Sequence, residues 1–117
     1  MGRVYSDLKT AEYGASGHPE APFRVINTSA RLKAAGHVIL PPRAKAVDAD
    51  VVLLHGANHL DSIRLGTFQD ADTPFFPRIA DIALISLSGA LSAADSALAG
   101  EPAFSLMRPP GHHAGRA

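Results

Sequence analysis

The sequence predicts an α/β layer structure with a parallel sheet, and three observations carry that expectation. Short apolar runs bounded by Gly and Pro alternate with stretches of helical periodicity. A long segment, 78–98, combines helical spacing with many small side chains. The last apolar run, Ala103-Phe104-Ser105-Leu106-Met107, feeds directly into Arg108-Pro109-Pro110-Gly111-His112-His113-Ala114.

Taken in order, Arg3-Val4-Tyr5 reads as a short strand, and the Gly-, Pro- and Ser-rich stretch up to residue 23 reads as loop. Val25, Ile26, Ala30, Leu32 and Ala35 give a helix over 24–35, with Gly36 where a C-terminal cap belongs. His37-Val38-Ile39-Leu40 is a strand stopped by Pro41-Pro42. Asp50-Val51-Val52-Leu53-Leu54-His55 reads as another buried strand on its β-branched content. A short helix over 57–65 ends at Gly66, and 70–77 is loop. Pro77 then opens the helix 78–98, which Gly100 stops. Its Ser, Ala and Gly faces let neighbouring backbones approach closely, so it is expected to be buried on more than one side.

The chain has 117 residues, which suits one domain over 1–117 that buries roughly two-thirds of its surface. Eleven basic residues balance eleven acidic ones, without the basic excess of a nucleic-acid protein. The absence of cysteine removes disulfides, thiolate nucleophiles and Cys-bound zinc. The longest uncharged apolar run, 82–94, falls short of the ~20 residues that span a bilayer, and no secretory signal stands at the N-terminus. A cytoplasmic protein with no nucleic-acid or membrane partner is expected.

Six histidines are the chemistry to explain. His112 and His113 follow an apolar strand, and in open α/β sheets the functional crevice lies outside the carboxyl ends of the strands. Imidazole suits proton transfer near neutral pH, while the plainer reading is an exposed polar loop. His55 and His59 are four apart, but Gly56 stands where the metalloprotease pattern needs Glu. His18-Pro19-Glu20 is a rigid loop that leads to Arg24, which on its own reads as a solvated first-turn residue. Asp70-Ala71-Asp72-Thr73 reads as a turn. No phosphate loop, nucleophile elbow or Gly-x-Gly-x-x-Gly is present.

Together, His18-Pro19-Glu20-Ala21-Pro22-Phe23-Arg24, Leu54-His55, Asp70-Ala71-Asp72-Thr73, the small-residue helix and Arg108-Pro109-Pro110-Gly111-His112-His113-Ala114 match one family in order and spacing. The chain resembles the histone deacetylases and their acetylpolyamine amidohydrolase relatives, in the class II-like branch. The resemblance covers nearly all of this chain but only the front of the family's domain. It implies part of an arginase-type three-layer fold and zinc-dependent hydrolysis of an N-acetyl amide of lysine or a polyamine. By position, His113 resembles the general base acting on zinc-bound water, and His112 the partner that supports charge in the transition state. Arg24 resembles the arginine at the inner end of the pocket, Pro110 and Gly111 resemble pocket lining, and one of Asp70 and Asp72 resembles an acidic rim residue. The resemblance also makes the 51–54 segment helical.

The family's zinc ligands, an Asp-x-His pair and a later Asp, follow the tandem histidines, whereas this sequence ends at Ala117. Its carbonyl-polarising tyrosine has no counterpart in Tyr5 or Tyr13. The expectation is therefore a truncated deacetylase-like chain without zinc or activity of its own. Its open sheet edge or its 78–98 helix is expected to be buried in a homo-oligomer. Two other readings stand beside it. One is a non-catalytic oligomerising or ligand-binding module derived from that fold. The other is a small metal protein using His55, His59 and the tandem pair.

Overall fold

The computed structural model describes residues 2–68, 75–112 and 114–116. Strands β1 (Arg3–Ser6), β2 (Val38–Leu40) and β3 (Ala103–Leu106) form a sheet in the order β2-β1-β3. Both pairings are parallel, with Val4 opposite Ile39 on one side and Phe104 on the other. A 3-10 turn (Leu8–Ala11) follows β1, and the helices are α1 (Phe23–Ala34), α2 (Asp48–Val51), α3 (Ala57–Leu65) and α4 (Ile79–Leu98). The expected α/β class with a parallel sheet is what forms.

Side chains alternate across the strands, and this puts helices on both faces. Val4 and Leu106 point to one face, where Val25 and Leu32 of α1 close the core with Ala11 and Ile39. Tyr5 points to the other, where its hydroxyl meets Ser96 Oγ of α4 at 2.7 Å. The result is three layers, α1 over the sheet over α4.

Helix α4 shows why its sequence is rich in small residues. Ser88, Ser92 and Ser96, spaced four apart, form a buried stripe. The Ser88 hydroxyl donates to the Leu84 carbonyl and accepts from the Ala46 N–H at 2.9 Å. Ser92 donates to the Ser88 carbonyl and accepts from the Arg43 and Ala44 N–H groups at 2.9 and 3.0 Å. The stripe thus satisfies the backbone of the loop leaving β2. One residue along from Ser88, Gly89 faces β3 so closely that a Cβ would stand 2.6 Å from Ser105 Oγ and 2.8 Å from Met107. Residues 82–89 are all buried or half-buried, as expected for a helix covered on several sides. By length and composition α4 passes as a membrane-spanning helix. Its serine stripe and its contact with the sheet make it a core helix in this fold.

The strand expected over 50–55 does not form. Residues 48–51 make one turn of helix, followed by turn residues that leave Leu53 80% exposed. Local polar chemistry outweighs the β-branched content. The Asp50 carboxylate accepts the Val47 N–H at 2.8 Å, and Asp48 pairs with Arg64 of α3 through both carboxylate oxygens. Apart from the 3-10 turn at Leu8–Ala11, where loop is expected, the other elements fall within a residue or two of expectation. Helix α4, for example, closes with Gly100 at φ 86°, donating to the Ala97 carbonyl while Glu101 donates to that of Ser96. At the β3 edge Phe104 is 60% exposed, because α1 lies over the β1–β2 side of the sheet.

Replacing Ser92 with Ala removes the acceptor for two loop N–H groups. The expected cost is about 1–3 kcal/mol, read as a lower urea midpoint at unchanged m-value.

Candidate functional site

Because β1 and β3 are parallel neighbours, the segments leaving them emerge at the same sheet edge. After β1, the Asp7 carboxylate accepts the Lys9 N–H at 2.9 Å and turns the chain into the 3-10 turn. After β3 come Met107 and Arg108, the latter joined to Pro109 by a cis peptide bond. Apolar strand residues carry Arg108 inward, and its side chain is only 2% exposed.

All five guanidinium N–H groups of Arg108 have acceptors. Nε and Nη2 donate to the two carboxylate oxygens of Glu20 at 2.7 and 2.8 Å. Nη1 donates to the Thr10 and Tyr13 carbonyls, each at 2.9 Å, and Nη2 also reaches the Glu20 carbonyl at 3.4 Å. The guanidinium carbon lies 4.0 Å from the centre of the Tyr13 ring, a cation–π arrangement. Tyr13 in turn donates its hydroxyl to Glu20 at 3.2 Å and packs against Phe76 with ring centroids 5.9 Å apart. On the other flank, the Ser86 hydroxyl of α4 donates to the Pro109 carbonyl at 2.8 Å.

The electrostatics follow from this packing. Burial pushes the Glu20 carboxyl up, but the hydrogen bonds and charge of Arg108 outweigh it, helped by Tyr13 and Arg24. Glu20 is held below the usual carboxylate range. Burial and the Glu20 charge push the Tyr13 phenol well up, so it stays protonated as the donor the network needs.

Among the expected site residues, Pro110, Gly111 and His112 follow this anchor and are exposed at the same edge. The Ala114 N–H donates back to the Gly111 carbonyl at 3.0 Å, which folds the loop into a turn. Asp70, Asp72 and His113 lie outside the described residues. Arg24 is exposed on the first turn of α1, where its charge is felt at Glu20. The residues that sequence reasoning missed are Arg108, Glu20 and Tyr13 as one unit. The available signal was an arginine set between an apolar strand and two prolines, where burial demands a carboxylate partner.

His55 and His59 stack with centroids 4.8 Å apart and planes 29° from parallel, and Phe68 meets His59 edge-on. Lone pairs lie in the ring planes, so stacked imidazoles do not converge on one ion. Among the described residues no three His, Asp or Glu side chains group as metal ligands, and a zinc site does not fit them. A shallow groove of ≈ 570 Å³ beside His59 is lined by Gly56, Asn58, Phe68 and Arg116. A smaller cavity of ≈ 220 Å³ lies at the opposite sheet edge, where Arg3 and Arg43 face Asp95 and Glu101 and Arg3 already pairs with Glu101.

Comparison with known proteins agrees with this fold. Residues 18–117 match the family model described as the histone deacetylase domain. The chain is 36% identical to a histone deacetylase-like amidohydrolase of Pseudomonas aeruginosa, covering 85% of this chain and 29% of that protein. It is 35% identical to a probable deacetylase of Methanothermobacter thermautotrophicus, covering 85% of this chain and 30% of that one. The chain therefore spans under a third of the length of these relatives. Among solved structures, the HDA15 HD domain superposes with a TM-score of 0.82 at 23% identity, over 97% of this chain and 37% of that chain.

The lowered Glu20 value sets a pH dependence. Its stabilising effect is complete above the unfolded carboxyl range and is lost as pH falls through the lower folded value. Thermal unfolding of the wild type from pH 7 to pH 3 is expected to show this acid loss, and Glu20→Gln to show a smaller one from a lower starting stability.

Proposed function

The chain belongs to the histone deacetylase family, and we propose that it carries the tandem-histidine side of an amide-hydrolase active site that removes acetyl groups from lysine or a polyamine. The observation that carries this reading is the anchoring of the 108–112 loop at the carboxyl edge of the parallel sheet, where α/β folds place their chemistry. In this reading His113 takes a proton from the attacking water, and His112 supports the negative charge that develops on the amide oxygen. Pro110 and Gly111 line the acyl pocket, Arg24 stands toward its inner end, and Asp70 or Asp72 meets the substrate at the rim. Zinc would polarise the carbonyl and acidify the water. Since the described side chains do not assemble its ligands, the chain alone is proposed not to turn over acetyl amides. A second reading, a non-catalytic module that self-associates, draws on the exposed Phe104 at the β3 edge.

A chimera tests the two readings together. This chain replaces the aligned segment of the Pseudomonas amidohydrolase, and the product is assayed on an acetyl-lysine amide with zinc present. Hydrolysis that falls about 10²–10⁴-fold on His113→Ala is expected for a general base. A folded chimera with no activity would contradict the catalytic reading and favour the second.

A further inference from the structure

We propose that Arg108 is a positioning residue for the tandem-histidine loop, acting through the Glu20 carboxylate and the Tyr13 ring. The proposal takes its catalytic meaning from the function proposed above, but its structural basis is independent of it. Arg108 stands four residues before His112, and the chain between them is Pro109-Pro110-Gly111. Each proline has a fixed φ, so little freedom remains between the arginine and the histidine. The loop is held at two successive residues, by the Arg108 side chain on one side and by the Pro109 carbonyl on Ser86 on the other. Beyond these two points, the Ala114 N–H closes back on the Gly111 carbonyl.

The same guanidinium gathers the other segments of the site edge. Its Thr10 and Tyr13 bonds hold the chain leaving β1, and its Glu20 pair holds the loop that precedes Arg24. Through Tyr13 it reaches Phe76, three residues before α4 begins and just beyond the segment that contains Asp70 and Asp72. One side chain thus sets the relative placement of loops that are distant in sequence. Lysine cannot reproduce this role. It has three donors on a point charge and no planar fork to match both Glu20 oxygens while lying flat on a ring.

Arg108→Lys, Glu20→Gln and Tyr13→Phe test the proposal in the chain itself, with the last removing only the hydroxyl bond to Glu20. Amide exchange is followed by NMR at Gly111, His112 and Ala114, against Val4 and Tyr5 of β1 and the buried turns of α4. Expected for Arg108→Lys and Glu20→Gln is at least tenfold faster exchange at 111–114, with β1 and α4 changed less than twofold. Tyr13→Phe should move the same amides by less. Variants that stay folded with exchange at 111–114 unchanged, or that speed exchange equally everywhere, overturn the proposal. Should Arg108→Lys fail to fold, Glu20→Gln and Tyr13→Phe decide it. In the active chimera, Arg108→Lys is expected to lower kcat at least tenfold with KM within threefold, and a change in KM alone would count against positioning. An inactive parent chimera defeats the catalytic reading without touching the exchange result.

Discussion

A permanently charged guanidinium is buried where the parallel strands end, and the rest of the site edge is arranged to satisfy it. Arginine cannot shed its proton in a protein, so burying Arg108 is tolerable only with full compensation. Here the compensation is complete in geometry: five N–H groups, two carboxylate oxygens, three backbone carbonyls and an aromatic face. Each partner belongs to the chain that follows β1. The charge therefore makes the segments after β1 and β3 mutually dependent, and the tandem-histidine loop inherits its position from that dependence.

The layers behind this edge solve a different problem. A three-stranded sheet gives a small core, and among the described residues Val4, Val25 and Leu106 form its buried cluster on the α1 face. Helix α4 replaces bulk with closeness. Gly89 brings it against Ser105 and Met107, and its serines serve as hydrogen-bond acceptors for a loop that would otherwise bury bare N–H groups. Ser86 extends the same device to the Pro109 carbonyl. One helix thus supports both the core and the loop that carries the histidines.

Much of this was legible where the chemistry is local. Helix ends marked by Gly36, Gly66 and Gly100, the strands around Val4, Ile39 and Phe104, and the small-residue character of α4 all follow from neighbours a few residues apart. Over 50–55, Val51, Val52, Leu53 and Leu54 suggest a buried strand and the family resemblance a helix, and the capping carboxylate of Asp50 with the Asp48–Arg64 pair favours a single helical turn at 48–51. The motif around His112 pointed to the family, whose model spans residues 18–117. The Arg108–Glu20 pair joins residues 88 positions apart, and no local pattern announces such a partner.

A double-mutant cycle between Arg108 and Glu20 tests the central claim most directly. Folding free energies are measured by urea denaturation for the wild type, Arg108→Lys, Glu20→Gln and the double variant. If the buried charge ties the two loops together, the effects are strongly non-additive, with a coupling of about 1–3 kcal/mol. Effects that add to within about 0.5 kcal/mol would contradict the account, because the arginine and the carboxylate would then stabilise the fold independently.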